Sequence, residues 1–164
     1  MSAGIIDVVH EHIHEGKSFI ATDYDADTDI VGPKYWSFIT PDTNKHIHFI
    51  FEVFANAAGV LEFYEGPTIN AAGTTLASYN MNRNITDAAG MVVKYDTTTT
   101  ADGTKLWVAR LGTVGSVFVT TSGGTGTRME FVLKRNTTYI LKFTTIADNN
   151  ILWANFVWYE LLVK

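Results

Sequence analysis

The stretch Lys45-His-Ile-His-Phe-Ile-Phe-Glu-Val-Phe-Ala55, followed by Asn56-Ala-Ala-Gly59 and Val60-Leu-Glu-Phe-Tyr-Glu65, decides the fold. At period two, Ile47, Phe49, Phe51 and Val53 share one face, and His46, His48, Ile50, Glu52 and Phe54 share the other. Strict alternation of this length is a strand signature, and β-branched and aromatic side chains suit a pleated surface. The break at Gly59 and the second aromatic run make a hairpin, with Leu61 and Phe63 facing inward. The first face is oily throughout. A purely solvated second face would not carry Ile50, Phe54 and Tyr64. That face is therefore expected to be partly covered by a neighbouring loop or another subunit, with His46, His48, Ile50, Phe54 and Tyr64 as the oligomer interface.

Working outward, residues 1–16 read as an N-terminal arm. Ile5, Ile6, Val8, Val9 and Ile13 could stripe a short helix, yet His10, His12 and His14 alternate as in a strand, and the arm is expected to be extended. Residues 17–164 read as a single domain. Lys17–Asp23 is its first strand, Asp23–Asp29 an acidic loop, and Tyr35–Thr40 the next strand. Beyond the hairpin, Ile69–Thr75 is a small-residue loop, and strands are expected at 76–80, 91–95, 105–111, 116–120, 128–133, 139–144 and 151–163. About nine to eleven strands at roughly 8–14-residue spacing, without a helix of typical length, predict an all-β, antiparallel β-sandwich. The expected form is jelly-roll-like, with an extended N-terminal arm.

A chain of 164 residues with 46% hydrophobic and 13% aromatic residues can bury one sizeable core. Its net charge of -5 argues against nucleic acid or an anionic membrane as a main partner, because both require a basic footprint. With no cysteine, disulfides and thiolate metal sites are excluded. The first ten residues lack the basic start and apolar run of a secretory signal, and no apolar run is long enough to span a bilayer. A soluble protein made in a cytosol is expected. The Asn-x-Thr matches at Asn84 and Asn136 then carry no glycan.

Catalytic motifs fail one by one. There is no Gly-x-Ser-x-Gly elbow and no His-Glu-x-x-His helix. Gly123-Gly-Thr-Gly126 lacks the lysine of a phosphate-binding loop. His10, His12 and His14 place three imidazoles on one side of an extended chain, a donor set for zinc or nickel; one histidine from each of three chains could surround an ion. A polar face on the arm is the simpler reading. Asp23, Asp25, Asp27 and Asp29 resemble a calcium loop only superficially, since its glycine and glutamate positions hold Thr28 and Lys34. Glu52, Glu62 and Glu65 invite comparison with a glycosidase carboxylate pair. Tyr35, Trp36, Trp107, Trp153 and Trp158 invite comparison with a sugar-stacking platform, though aromatics serve buried packing first. No catalytic residue, cofactor or resident metal is assigned, and an enzyme is not expected.

Six short stretches, in order, span most of the chain: Glu15-Gly-Lys-Ser-Phe19, Phe63-Tyr-Glu-Gly-Pro-Thr68, Asn80-x-Asn-Arg-Asn84, Ala101-Asp-Gly-Thr104, Leu133-Lys-Arg-Asn-Thr-Thr-Tyr139 and Trp158-Tyr-Glu160. Each is mostly turn chemistry, and their order resembles the tailed-phage head decoration (auxiliary, or cement) proteins. Leu161–Lys164 extend past the ending usual in that group. The resemblance implies a non-enzymatic virion protein, a homotrimer of β-sandwiches on the capsid surface with the major capsid protein as partner. Ile5, Ile6, Val8 and Val9 of the arm would then contact neighbouring capsid subunits. The alternative expectation is a tail or fibre structural protein with a carbohydrate-binding β-sandwich.

Overall fold

The alternation in residues 45–55 folds as read: from Ile47 onward odd positions are buried and even positions half-buried along one strand. The computed structural model describes residues 8–28, 32–111, 119–122, 130–146 and 148–162, with the side chains of Val8, Val9 and residues 119–122 outside that description. A short helix, α1 (Val8–His14), precedes β1 (Ser18–Thr28), β2 (Lys34–Ile39), β3 (Lys45–Ala55) and β4 (Gly59–Glu65). Then come β5 (Thr68–Ala71), β6 (Thr74–Thr75), β7 (Tyr79–Asn80), β8 (Val92–Tyr95), β9 (Thr98–Ala101) and β10 (Thr104–Leu111). The chain closes with β11 (Val119–Ser122), β12 (Phe131–Leu133), β13 (Thr138–Thr145) and β14 (Asn150–Leu162).

Every pairing among these strands is antiparallel. The first sheet runs β11-β3-β14-β1-β7, with β12 also on β3, and the second runs β10-β4-β13-β2-β8-β6. Strands β11 and β12 cover different halves of the same β3 edge, at residues 52–55 and 47–49. Strands β1 to β4 alternate between sheets as the chain proceeds; β1, β3 and β14 lie in the first, β2, β4, β10 and β13 in the second. The all-β antiparallel sandwich expected from the sequence is what the chain forms.

Between the sheets lies an aromatic core. Phe49 of the first sheet meets Phe38 and Phe63 of the second, with ring centroids 4.5 and 5.9 Å apart, and Phe38 meets Phe156 at 4.9 Å. These tilted and edge-on pairs let the sheets interdigitate, as the ring quadrupole favours. Leu61 and Phe63 are fully buried, as the hairpin reading requires. Asn150 pins the β3–β4 turn from below, accepting from Ala57 N–H at 3.1 Å and donating to Ala57 C=O at 3.2 Å and to Thr145 Oγ1 at 3.1 Å.

The structure corrects the sequence reading in several places. Residues 8–14 are helical, not extended. Gly16 adopts φ +71°, Gly16 N–H bonds Ile13 C=O at 3.0 Å, and Lys17 N–H bonds His12 C=O at 2.9 Å. This pair of bonds is the glycine-terminated Schellman stop, whose signal is the glycine itself. The acidic stretch is not a loop through residue 28, because β1 continues to Thr28 and pairs with β14 there. Residues 69–75 and the threonine run contribute a two-stranded ribbon, β5–β9.

That ribbon and its connections lie over the outer side of the second sheet. Ser37 Oγ meets Thr97 Oγ1 at 2.8 Å, and Asp102 accepts from Tyr35 OH at 3.2 Å, Thr99 Oγ1 at 2.7 Å and Lys142 Nζ at 2.7 Å. Beneath it Ser37, Ile140 and Tyr64 form one outward row that is buried.

Phe49→Ala should lower unfolding free energy by about 3–5 kcal/mol, the penalty for deleting a buried aromatic ring. The exposed Val132→Ala should change it by no more than about 0.5 kcal/mol. Urea denaturation of the two variants checks both values; similar losses would contradict this placement of the core.

Candidate interaction face

Register across the first sheet sets the composition of its outer side. Ile50, Val157 and Ile20 stand in line across β3, β14 and β1, and Tyr79 continues the row on β7. A parallel row holds Phe54, Trp153 and Tyr24. Between them runs the polar row Glu52, Asn155 and Thr22. Tyr24 is 64% exposed, Trp153 53% and Tyr79 54%, while Ile20, Ile50, Phe54 and Val157 are half-buried. Phe54 and Trp153 rings lie 5.7 Å apart, and the Arg83 guanidinium sits 5.4 Å from the Tyr79 ring. Among the described residues no ribbon covers this face as β5–β9 covers the other. An apolar row of this extent is a recognised mark of an interaction surface.

Four of the residues expected at an interface, His46, His48, Ile50 and Phe54, lie on this face. Tyr64 does not. It belongs to the second sheet and is only 7% exposed, packed under its own chain with Lys105 Nζ 5.5 Å from its ring. Its pKa is pushed up by burial and by hydrogen bonding and charge from Glu62. Of the arm residues, Ile5 and Ile6 lie outside the described residues, and Val8 and Val9 sit in α1 with side chains outside the description.

One end of the face is organised by a cluster that sequence reading missed. The Tyr159 ring lies between His12 of α1 and His48 of β3, with centroids 5.0 and 4.6 Å away in stacked arrangements. Glu130 Oε1 accepts from His48 Nδ1 at 2.6 Å and also from Tyr159 OH. The stack docks α1 on the sheet. It also separates the three histidines of the arm, because a helix turns His12 away from His10 and His14. Nε2 of His10 and Nε2 of His14 are 3.0 Å apart on the exposed side. Among the described residues no group of three or more His, Asp or Glu converges as a metal site.

The acidic stretch is held by a lysine. Lys34 Nζ lies 2.9 Å from Asp25, 3.4 Å from Asp23 and 3.7 Å from Asp96, and Trp36 Nε1 donates to Asp23 at 2.7 Å. Burial alone would raise the Asp25 pKa, but the Lys34 hydrogen bond, the Asp27 N–H and the Lys34 charge outweigh it and hold the carboxyl below 3.8. Burial likewise opposes the Lys34 charge, yet the Asp25 hydrogen bond and the charges of Asp23, Asp25 and Asp96 raise its pKa above 10.5. An ammonium thus occupies the centre that a hard cation would need. Asp29 lies outside the described residues.

The carboxylates compared with a glycosidase pair are dispersed. Glu52 is on the first sheet; Glu62 and Glu65 are three positions apart on β4 and so point to opposite sides. Glu62 pairs with Lys105, and Glu65 with Lys134 at 2.6 Å. Of the aromatics compared with a sugar platform, Trp36 and Trp158 are buried, and Tyr35 and Trp107 half-buried. Trp153 alone of the five is exposed.

The six stretches quoted from the sequence meet in two clusters. At one, Asn80 Nδ2 donates to Gly16 C=O at 2.8 Å, Asn82 Nδ2 to His14 C=O at 2.9 Å, and Glu160 N–H to Lys17 C=O at 3.0 Å. Buried Glu160 Oε1 there accepts Gly90 N–H at 2.7 Å, Met91 N–H at 3.1 Å and Trp158 Nε1 at 3.2 Å. At the other, Tyr139 OH donates to Glu65 at 3.0 Å and its oxygen accepts Lys134 N–H at 2.9 Å, and Gly66 N–H bonds Thr138 C=O at 2.9 Å. Gly103, at φ +90°, completes it, because a Cβ there would lie 2.3 Å from Glu65 C=O. Desolvation and the Glu65 carboxylate push Tyr139 up to about 12, so its hydroxyl stays a donor. These stretches fasten loops to strands; none forms a catalytic grouping.

Comparison with protein-family models, with curated proteins and with solved structures returned no match to this chain.

Lys34→Met should destabilise the protein by about 1–3 kcal/mol at pH 7, because the half-buried Asp23 and Asp25 carboxylates lose their charged partner. Asp25 is depressed, so its contribution is present above about pH 4 and lost as pH falls through its folded value. Lys34 is raised, so its contribution is present below about pH 10.4 and lost as pH rises through its folded value. The gap between wild type and variant should therefore narrow below about pH 4. Denaturation midpoints measured from pH 2 to 9 check this, and a gap independent of pH would contradict it.

Proposed function

We propose that this chain is a non-enzymatic structural protein of a tailed-phage virion, a capsid decoration protein that assembles as a trimer and stabilises the mature head. The observation that carries the reading is the pair of apolar rows on the outer side of the first sheet. Closed rings join one face to a different face of the next copy, and a partly apolar sheet surface suits such a heterologous contact. The ordered resemblance of the six stretches supplies the virion context.

Connectivity supports it as well. The orders β1-β14-β3-β12 and β2-β13-β4-β10 within the two sheets support a jelly-roll-like reading of the sandwich, an architecture used by viral capsid and lectin domains. In this reading the major capsid protein is the partner. Ile5, Ile6, Val8 and Val9 reach neighbouring capsid subunits, and three linked weak contacts hold more firmly than one. A second reading, a tail or fibre module that binds glycans, draws on exposed Trp153 and Tyr24, which lie in one row.

Light scattering should give a mass about three times that of the chain, and Ile50→Lys with Val157→Lys should reduce it to one chain without unfolding. Replacing Ile5 and Ile6 by Ser should leave the trimer intact while lowering its occupancy on purified mature heads of the encoding phage. A lone chain at high concentration, or full occupancy by both variants, would overturn the reading. Glycan-array binding lost with Trp153→Ala would favour the second one.

A further inference from the structure

We propose that His10 and His14 form a two-ligand site for a divalent transition-metal ion of the zinc, nickel and copper class. The argument is independent of assembly. Residues four apart on a helix lie on one face. Here the result is closer than proximity alone, because the two Nε2 atoms converge to 3.0 Å with ring centroids 4.6 Å apart at 81°. Both side chains are exposed at the surface of α1.

Metal–imidazole bonds of about 2.0–2.1 Å set ligand nitrogens about 2.9 Å apart at a right angle and about 3.3 Å apart in a tetrahedron. The observed separation falls between the two, so the two nitrogens already stand at the spacing one ion requires. Without metal, one Nε2–H must donate to the other Nε2, since two bare lone pairs would repel. A metal ion takes the place of that proton; the ring gives it up at Nε2 and regains one from solvent at Nδ1, so both ligands stay neutral imidazoles and no net proton is lost. Neutral imidazole selects borderline transition ions over calcium or magnesium, which prefer oxygen.

His12 is excluded from the site. Its ring is stacked on Tyr159, and its Nδ1 faces Glu15 at 3.4 Å. The nearby Glu15 carboxylate is engaged by Lys17 at 2.8 Å. Among the described residues no third protein ligand joins the pair. The remaining coordination positions are left for water or a donor from another molecule.

Isothermal titration of the full-length, tag-free protein with nickel chloride and zinc chloride tests the proposal. One ion per chain is expected, with affinity falling by about tenfold or more in His10→Ala and in His14→Ala, because each removes an intramolecular ligand. Alanine favours a helix more than histidine does, so loss of binding would not reflect loss of α1. His12→Phe keeps a ring on Tyr159 but removes a nitrogen, and His46→Ala removes a histidine elsewhere; both should bind as the wild type does. Absence of binding by the wild type, or wild-type affinity in either His10→Ala or His14→Ala, would overturn the assignment. So would an equal loss in His12→Phe or His46→Ala.

Discussion

The architecture depends on β14, thirteen residues long and paired along both edges, with β3 on one side and β1 on the other. A strand held on both edges has no freedom to slip, because a one-residue shift would expose its whole buried row. That row is Leu152, Ala154, Phe156 and Trp158, all buried, and it fixes the register of both neighbours. The same constraint fixes what faces out. Once Phe156 and Trp158 are inside, Trp153 and Val157 must lie on the far side, in line with Phe54, Ile50, Ile20 and Tyr24.

The two outer faces of the sandwich are treated differently. Over the second sheet, Thr97 and Asp102 bond to Ser37, Tyr35 and Lys142, and a row that includes Ile140 and Tyr64 is buried as a result. Burial depresses the charge of Asp102, but the Lys142 and Thr99 hydrogen bonds outweigh it, and the carboxyl is held below 3.8. Over the first sheet, the described residues include no such cover except where α1 rests on Tyr159 through His12. That contrast within one molecule is the physical basis for reading the first face as a surface used by a partner.

Much of this was legible in the sequence because alternation is a local signal. Residues 45–65 specify a strand, a turn and a second strand, and the buried positions are those that period two selects. A helix over the arm was one of two readings the sequence allowed, and the alternating histidines favoured the extended one; Gly16, as the residue that stops a helix, was the clue that decides for the helix. Tyr64 was misplaced for a different reason. Its direction was read correctly, but it lies in the other sheet, and the Lys105 side chain beside its ring comes from a strand about forty residues further along the chain. Similarly, Lys34 among the aspartates, and Glu130 beside His48 and Tyr159, are tertiary meetings that no spacing announces.

The six ordered stretches illustrate how turn chemistry can mark a fold without marking a reaction. Gly16, Asn80 and Glu160 tie one end together, and Glu65, Gly103 and Tyr139 tie the other. Under the proposed function, the most direct test is a cryo-electron microscopy reconstruction of mature tailed-phage heads assembled in the presence of this chain. The account predicts three copies of the sandwich around local threefold positions, with the Ile20, Ile50 and Val157 row packed against a neighbouring subunit. A head lacking this protein, or a bound sandwich whose row faces open solvent, would contradict it.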